Sequence, residues 1–300
     1  MTQALLAVFS IYFFILLGFT AKKIFKEQID QKTLILISIY FLQPILTFWG
    51  LTRKPLDFTL VFTPFLYFIT ISLTLAIIWS ISRYLFDDEK EKSIFIATSL
   101  IGNTGNLGIP LGIALFGNDS VPYTSILNIA NIFFIYTVGI YFFAKSSFSL
   151  KDSLYQIVKI PILWFAIIAL VFNYLQIEIN PQIDNILQMG AYATIVIQLM
   201  IFGIYLSDTA IKTINVKLSL YISFVKLIFI PIIGMIVLSF FTIDTQIAKI
   251  FMLSLIVPLA VNNVNISALY NCKPYEVTSA ILVSTVLFLF VLYFDLMFIL

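Results

Sequence analysis

"GNTGNLGIP", residues 102–110, interrupts an apolar stretch with three glycines, two asparagines and a proline. Each of these residue types weakens a helix: glycine through its backbone freedom, proline through its missing N–H and its clash with the preceding turn. A second stretch of the same kind, "VPLAVNNVN" at 257–265, sets Pro258 just ahead of Asn262, Asn263 and Asn265. Both lie in sequence that otherwise reads as membrane helix. The 300 residues are 61% hydrophobic and 11% charged, with a mean hydropathy of +1.06, whereas a soluble domain carries roughly 25% charged residues. The expected class is an all-α integral membrane protein.

Apolar runs long enough to cross a bilayer, about 17–25 residues each, predict ten spans: 4–21, 33–51, 58–82, 93–116, 121–144, 158–176, 185–206, 218–241, 248–270 and 275–298. No basic residue precedes the first and no small-residue cleavage site follows it, so it reads as a retained helix rather than a signal peptide. Basic residues gather in cytoplasmic loops. Of the seventeen Lys and Arg residues, thirteen fall in one set of alternate loops and only Arg53, Lys54 and Lys249 in the other, with Lys226 inside a span. That asymmetry predicts a multi-pass protein of the cell membrane with both termini outside.

The polar connection at 145–159 divides the spans into two groups of five, 1–150 and 151–300. Five is odd, so the halves have opposite orientations, an inverted-repeat arrangement common in transporters. Spans four and nine are then counterparts, and they are the two interrupted ones. The fourth is expected to break near Asn103–Ile109. Unwinding at membrane depth frees amides and carbonyls, and a half-helix N-terminus offers converging N–H groups and positive partial charge. Asn103, Thr104, Gly105, Asn106, Gly108 and Pro110 in the fourth span, with Pro258, Asn262, Asn263 and Asn265 in the ninth, form the candidate substrate-binding crossover, suited to a carboxylate. Exposed carbonyls there also suit Na⁺.

Three neighbours support this set. Asn128 and Asn131, three apart in the fifth span, share a helical face; they either line the cavity or brace the broken helix. Lys226, in the eighth span, either snorkels to the interface or attracts an anion and caps freed carbonyls. Asp295 reads as a headgroup-level residue. Pro44, Pro64, Pro161 and Pro231 read as kinks or packing contacts.

Several functions are excluded or weakened. The absence of histidine removes His-based triads and metalloprotease motifs. The single cysteine, Cys272, cannot make an internal disulfide. A net charge of +2 without a basic run gives no nucleic-acid surface. No carboxylate pair or Ser–Lys pair at depth suggests an enzyme, and no continuous polar lining suggests a channel. No cofactor or metal is expected; Na⁺ coupling stays open.

The chain resembles the auxin efflux carrier family, which includes plant PIN-FORMED carriers and bacterial organic-acid permeases and is similar in architecture to the bile-acid symporters. The resemblance rests on "FLQPILTFWGL" (41–51), "GNTGNLGIPLGIALFG" (102–117), "VKLIFIPII" (225–233), "VPLAVNNVNISALY" (257–270) and "TSAILVSTVLF" (278–288). It implies two inverted repeats of five helices, with helices four and nine broken and crossing. A mobile transport domain of helices 3–5 and 8–10 would move, elevator-like, against a scaffold of helices 1, 2, 6 and 7 that carries a homodimer contact. Asn103, Pro110 and Pro258 map onto the crossing, and Lys226 onto a family-like lysine position. Two scaffold positions depart from the pattern: Ile160 precedes Pro161 where asparagine is common, and 190–206 lacks a proline. The large hydrophilic central loop of many plant carriers is missing. The implied function is secondary transport of small organic anions, auxin-like or mono- and dicarboxylate weak acids, across the lipid bilayer. The alternative is a Na⁺-coupled organic-anion symporter resembling bile-acid symporters. Neither the acid nor the direction of transport is legible.

Overall fold

Inside a bilayer every backbone polar group needs a partner within the protein, which favours helices. A computed structural model describes residues 2–55, 57–144, 149, 151, 155, 157–208 and 215–298, and these are helical apart from short connections and one isolated β-bridge. The helices are α1 (Thr2–Phe25), α2 (Gln31–Leu51), α3 (Phe58–Leu85), α4 (Glu89–Leu100), α5 (Thr104–Phe116) and α6 (Asn118–Ala144), followed by α7 (Pro161–Tyr174), α8 (Pro181–Asp208), α9 (Val216–Ser239), α10 (Thr245–Ile256), α11 (Asn262–Leu269) and α12 (Pro274–Phe298). Among the described residues, six helices are long and apolar enough to cross a membrane. The apolar helices α5, α7 and α10 are shorter. The expected division at 150/151, Lys145, Lys212 and the side chain of Asp295 lie outside the described residues.

Prolines shape several of these helices. π turns occupy Ser38–Leu42 in α2, Thr104–Gly108 in α5, Ile135–Gly139 in α6 and Val225–Phe229 in α9. In three of them a proline follows two residues after the turn: Pro44, Pro110 and Pro231. A proline ring clashes with the carbonyl four residues back and leaves it without a donor. That carbonyl belongs to Tyr40, Asn106 or Leu227, inside the turn, and the wider π geometry gives the ring room. Pro44, Pro110 and Pro231 therefore remain inside continuous helix instead of ending it.

The chain forms two compact units interleaved in sequence. The first comprises Met1–Phe62, Gly105–Ile126 and Val158–Asp208. Within it α1 packs closely on α8, because Gly18 lies against the Met200 carbonyl and Gly203 against the Ile15 carbonyl, leaving no room for a Cβ at either. Leu46, Trp49, Ile109, Val121 and Ala191 form a core cluster. Asn173 of α7 donates to the carbonyls of Leu51 (2.9 Å) and Lys54 (2.5 Å), satisfying acceptors at the end of α2.

The second unit comprises Thr63–Thr104, Leu127–Ile157 and Thr209–Leu300. Here α9 packs along α12. Two helices of equal length, α4 and α10, each start at an aspartate N-cap: Asp88 accepts from the N–H groups of Lys90 and Glu91, and Asp244 from those of Gln246 and Ile247. Beside Asp88, Lys273 pairs with Asp88 (2.6 Å), Glu91 (3.4 Å) and Glu276 (3.5 Å), tying the approach to α12 to the start of α4.

Candidate substrate site

Two extended segments meet within the second unit. Helix α4 stops at Leu100 and Ile101 turns extended (φ −104°, ψ 104°). Helix α10 stops at Ile256 and Val257 turns extended (φ −52°, ψ 143°). Gly102 and Leu259 then form an antiparallel β-bridge. It is flanked by Asn103 N–H donating to the Pro258 carbonyl (2.8 Å) and Ala260 N–H donating to the Ile101 carbonyl (3.1 Å). Pro258 contributes only its carbonyl, so its missing N–H leaves no gap in the pairing. The non-helical residues of the first segment are 101–103, where the sequence suggested 103–109. The pairing that stops α4 depends on a partner 157 residues away, Leu259 for Gly102, and the π turn keeps Pro110 inside α5.

Side chains complete the pairing. Asn131 donates to the Gly102 carbonyl (2.8 Å) and accepts from the Tyr67 hydroxyl (3.0 Å). Asn263 donates to the Ile101 carbonyl (3.3 Å). Thr104 donates to Asn128 Oδ1 (2.9 Å), and the Leu259 N–H donates to Ser284 Oγ (3.4 Å). Asn128 and Asn131 thus both hydrogen-bond to the segment that follows α4. The carbonyls of Ile101, Gly102 and Pro258 and the N–H groups of Asn103, Leu259 and Ala260 thus have partners, as a low-dielectric interior favours.

Several buried side-chain atoms nevertheless have none. Among the described residues, Asn103 Nδ2, Asn263 Oδ1 and Lys226 Nζ are buried without a hydrogen-bond partner. Lys226 is completely buried, so its side chain does not snorkel to the surface. It stands on the π turn that precedes Pro231, and its Nζ lies 2.6 Å from where a Cβ on Gly102 would be, with Val257 Cγ2 at 3.3 Å from the same point. Burying an ammonium costs several kcal/mol unless a counter-charge and hydrogen bonds offset it. The chemistry of this spot is anion-seeking.

The remaining predicted residues are placed differently. Asn262 is half-buried and Asn265 exposed, and neither side chain makes a hydrogen bond among the described residues. Gly105, Asn106, Gly108 and Pro110 belong to the first unit, where Asn106 Oδ1 accepts from Gln43 at 3.4 Å. Residues outside the predicted set also bear on the crossing: Gly102 forms the bridge, Tyr67 holds Asn131, and Ser284 caps Leu259. Gly102 stands in the quoted motif and Ser284 in the stretch 278–288 that carries the family resemblance, but neither is a predicted site residue; Tyr67 lies in an apolar run with nothing to single it out.

Helical throughout its regular structure, with six long apolar helices among the described residues, the molecule is a multi-pass membrane protein. The membrane transport protein family matches it over residues 3–153 and 147–295, and the chain belongs to that family. This agrees with the resemblance to the auxin efflux carriers, which the family includes. Its members are transporters, not enzymes. No curated protein matches the chain.

Proposed function

We propose that the protein is a secondary carrier for small organic anions, and that the substrate carboxylate sits at Lys226 beside the Gly102–Leu259 crossing. The carrying observation is Lys226 Nζ: completely buried, unpartnered, and packed against the glycine of the bridge. A bound carboxylate supplies the missing counter-charge, and Asn103 Nδ2 supplies a neutral donor. A loaded site is then charge-balanced and an empty one is not, which favours exchange of one acid for another over return of the empty carrier.

The architecture we propose has ten membrane spans in two inverted repeats, with α4 and α5 forming one interrupted span and α10 and α11 the other. It is supported by the capping aspartates Asp88 and Asp244, by the equal lengths of the helices they start, and by the starts of α6 and α12 at Asn118 and Pro274. Both pairs are offset by 156 residues. The elevator reading draws support from the interleaving of the units, since α1, α2, α7 and α8 fall in the first and α4 and α9 to α12 in the second, while most of α5 and the start of α6, which it assigns to the mobile domain, fall in the first. Assembly as a homodimer through the scaffold and termini outside the cell belong to the same proposal. A Na⁺-coupled symporter is the second reading, and the unpaired acceptor Asn263 Oδ1 favours it.

The test is solid-supported-membrane current from reconstituted protein, screening malate, malonate, indole-3-acetate and other weak acids with and without a Na⁺ gradient. Acid-specific currents that Lys226→Met abolishes are the expected result. Currents of unchanged apparent affinity in Lys226→Met refute the assignment of the site. Currents only in Na⁺ select the symporter.

A further inference from the structure

A pocket of about 420 Å³ lies within the second unit, where α3 ends, α4 begins and α6 ends. Trp79, Arg83, Glu89, Lys92 and Tyr141 are among the residues that line it. Its volume falls in the ~300–1,000 Å³ range of small-molecule sites. None of its lining residues belongs to the crossing described above.

The two cations differ. Lys92 is paired with Glu89 at 2.7 Å, so that pair adds little net charge. Arg83 has no ion-pair or hydrogen-bond partner among the described residues, and its guanidinium is the uncompensated charge of the pocket. It stands four residues after Trp79 on α3, hence on the same helical face. A planar guanidinium suits the two oxygens of a phosphate.

The aromatic residues indicate where that phosphate comes from. Trp79 is 49% and Tyr141 44% exposed; each makes an edge contact with Phe142, at 5.7 Å and 5.0 Å between ring centres. Trp79 lies six residues before the end of α3 and Tyr141 three before the end of α6. Half-exposed Trp and Tyr near the ends of membrane helices occupy the headgroup level of the bilayer. Ile77 and Ile81, flanking Trp79, are exposed as well, which suits acyl chains and not water. A pocket at this depth with a free arginine and aromatic walls opens on lipid.

We propose that this pocket is a binding site for an anionic phospholipid, with the headgroup phosphate on Arg83 and the glycerol and upper acyl chains against Trp79 and Tyr141. Phosphatidylglycerol is the probe. A zwitterionic headgroup brings its own cation to Arg83 and fits less well. A soluble phosphate ester would use the arginine but leave the aromatic wall without a partner.

Native mass spectrometry of the full-length protein in detergent, titrated with phosphatidylglycerol, phosphatidylcholine or glycerol 1-phosphate, tests this. Wild type is expected to retain one phosphatidylglycerol in preference to phosphatidylcholine. Arg83→Gln should weaken that binding about tenfold or more through loss of a charge-assisted hydrogen bond, and Arg83→Lys should restore part of it. If Arg83→Gln does not fold, Trp79→Leu supplies the reading, with retained charge and a weakened lipid complex. Equal binding of phosphatidylglycerol to wild type and Arg83→Gln overturns the proposal. So does equal retention of phosphatidylcholine, or competition by glycerol 1-phosphate at the same concentration.

Discussion

Gly102→Ala isolates the contact between the crossing and Lys226. Gly102 is not among the residues with positive φ, so alanine brings no backbone strain. The cost is steric: the new Cβ would lie 2.6 Å from Lys226 Nζ, 3.0 Å from Lys226 Cε and 3.3 Å from Val257 Cγ2. These atoms are the far end of a flexible side chain, but the lysine is fully buried, so it gives way only by shifting within the packed interior. Overpacking of this kind costs about 1–3 kcal/mol. Two of the three close atoms belong to Lys226, so prior truncation of that lysine should absorb most of the penalty. Thermal unfolding of wild type, Gly102→Ala, Lys226→Ala and the double variant in one detergent gives the double-mutant cycle. The expected coupling is at least about 1 kcal/mol, within the usual range for residues in contact. If Gly102→Ala costs the same in both backgrounds, or costs nothing in wild type, the lysine does not pack where we place it. The chemistry assigned to the crossing then fails with it.

Three further outcomes follow from the same geometry. Asn103→Ala removes a side-chain amide whose Nδ2 has no hydrogen-bond partner among the described residues, so unfolding should change by less than about 1 kcal/mol while anion affinity falls by about 1–3 kcal/mol; unchanged affinity in a titration removes Asn103 from the site. Pro231→Ala relieves the clash that favours the π turn at Val225–Phe229; return to regular α-helix turns Lys226 by about 100° relative to the rest of α9, and transport should fall in a protein that still folds. Wild-type rates would mean the turn has another cause. For the ion pairs, the hydrogen bond from Lys273 holds the Asp88 carboxyl below its usual range. Burial pushes Lys273 down, but the bond to Asp88 and the nearby carboxylates outweigh it, so its affinity for the proton is raised. A lowered carboxyl stabilises above its ordinary pKa and loses that contribution as pH falls through the lowered value; a raised lysine loses its contribution only in strong alkali. The melting-temperature gap between wild type and Lys273→Met should therefore hold from about pH 5 to pH 9 and shrink below about pH 4. A gap that is constant in acid refutes an ionic origin.

Much of the crossing could be read in the sequence because its cost is concentrated in a few residues. Pro258 and the asparagines that follow it have no place in hydrocarbon without partners, and the same holds for the glycines and asparagines at 102–108. Other features could not be read there. The termination of α4 at Leu100 depends on Leu259 and Pro258, and local propensity at 101–103 says nothing of them. Tyr67 gives no signal in an apolar helix, since a tyrosine there packs equally well with or without Asn131. The tightness of α1 against α8 depends on Gly18 meeting Met200 and Gly203 meeting Ile15, a register that no single-helix pattern carries.

The sequence also suggested what the freed backbone would do, and the geometry gives it a different role. Unwinding was expected to present amides and carbonyls to a ligand. Instead the carbonyls of Ile101, Gly102 and Pro258 and the N–H groups of Asn103, Leu259 and Ala260 are taken up by the bridge, by Asn131, by Asn263 and by Ser284. Among the described residues, buried side-chain atoms there, one of them the Lys226 ammonium, have no hydrogen-bond partner. In the proposed site an ammonium attracts a carboxylate more strongly than backbone dipoles do, and the bound anion neutralises a charge that is otherwise buried. The interruption of the two helices therefore has a mechanical purpose in this reading. It brings Gly102, which has no Cβ, to the one position where a buried lysine can approach the crossing, and the paired backbone then holds that approach rigid.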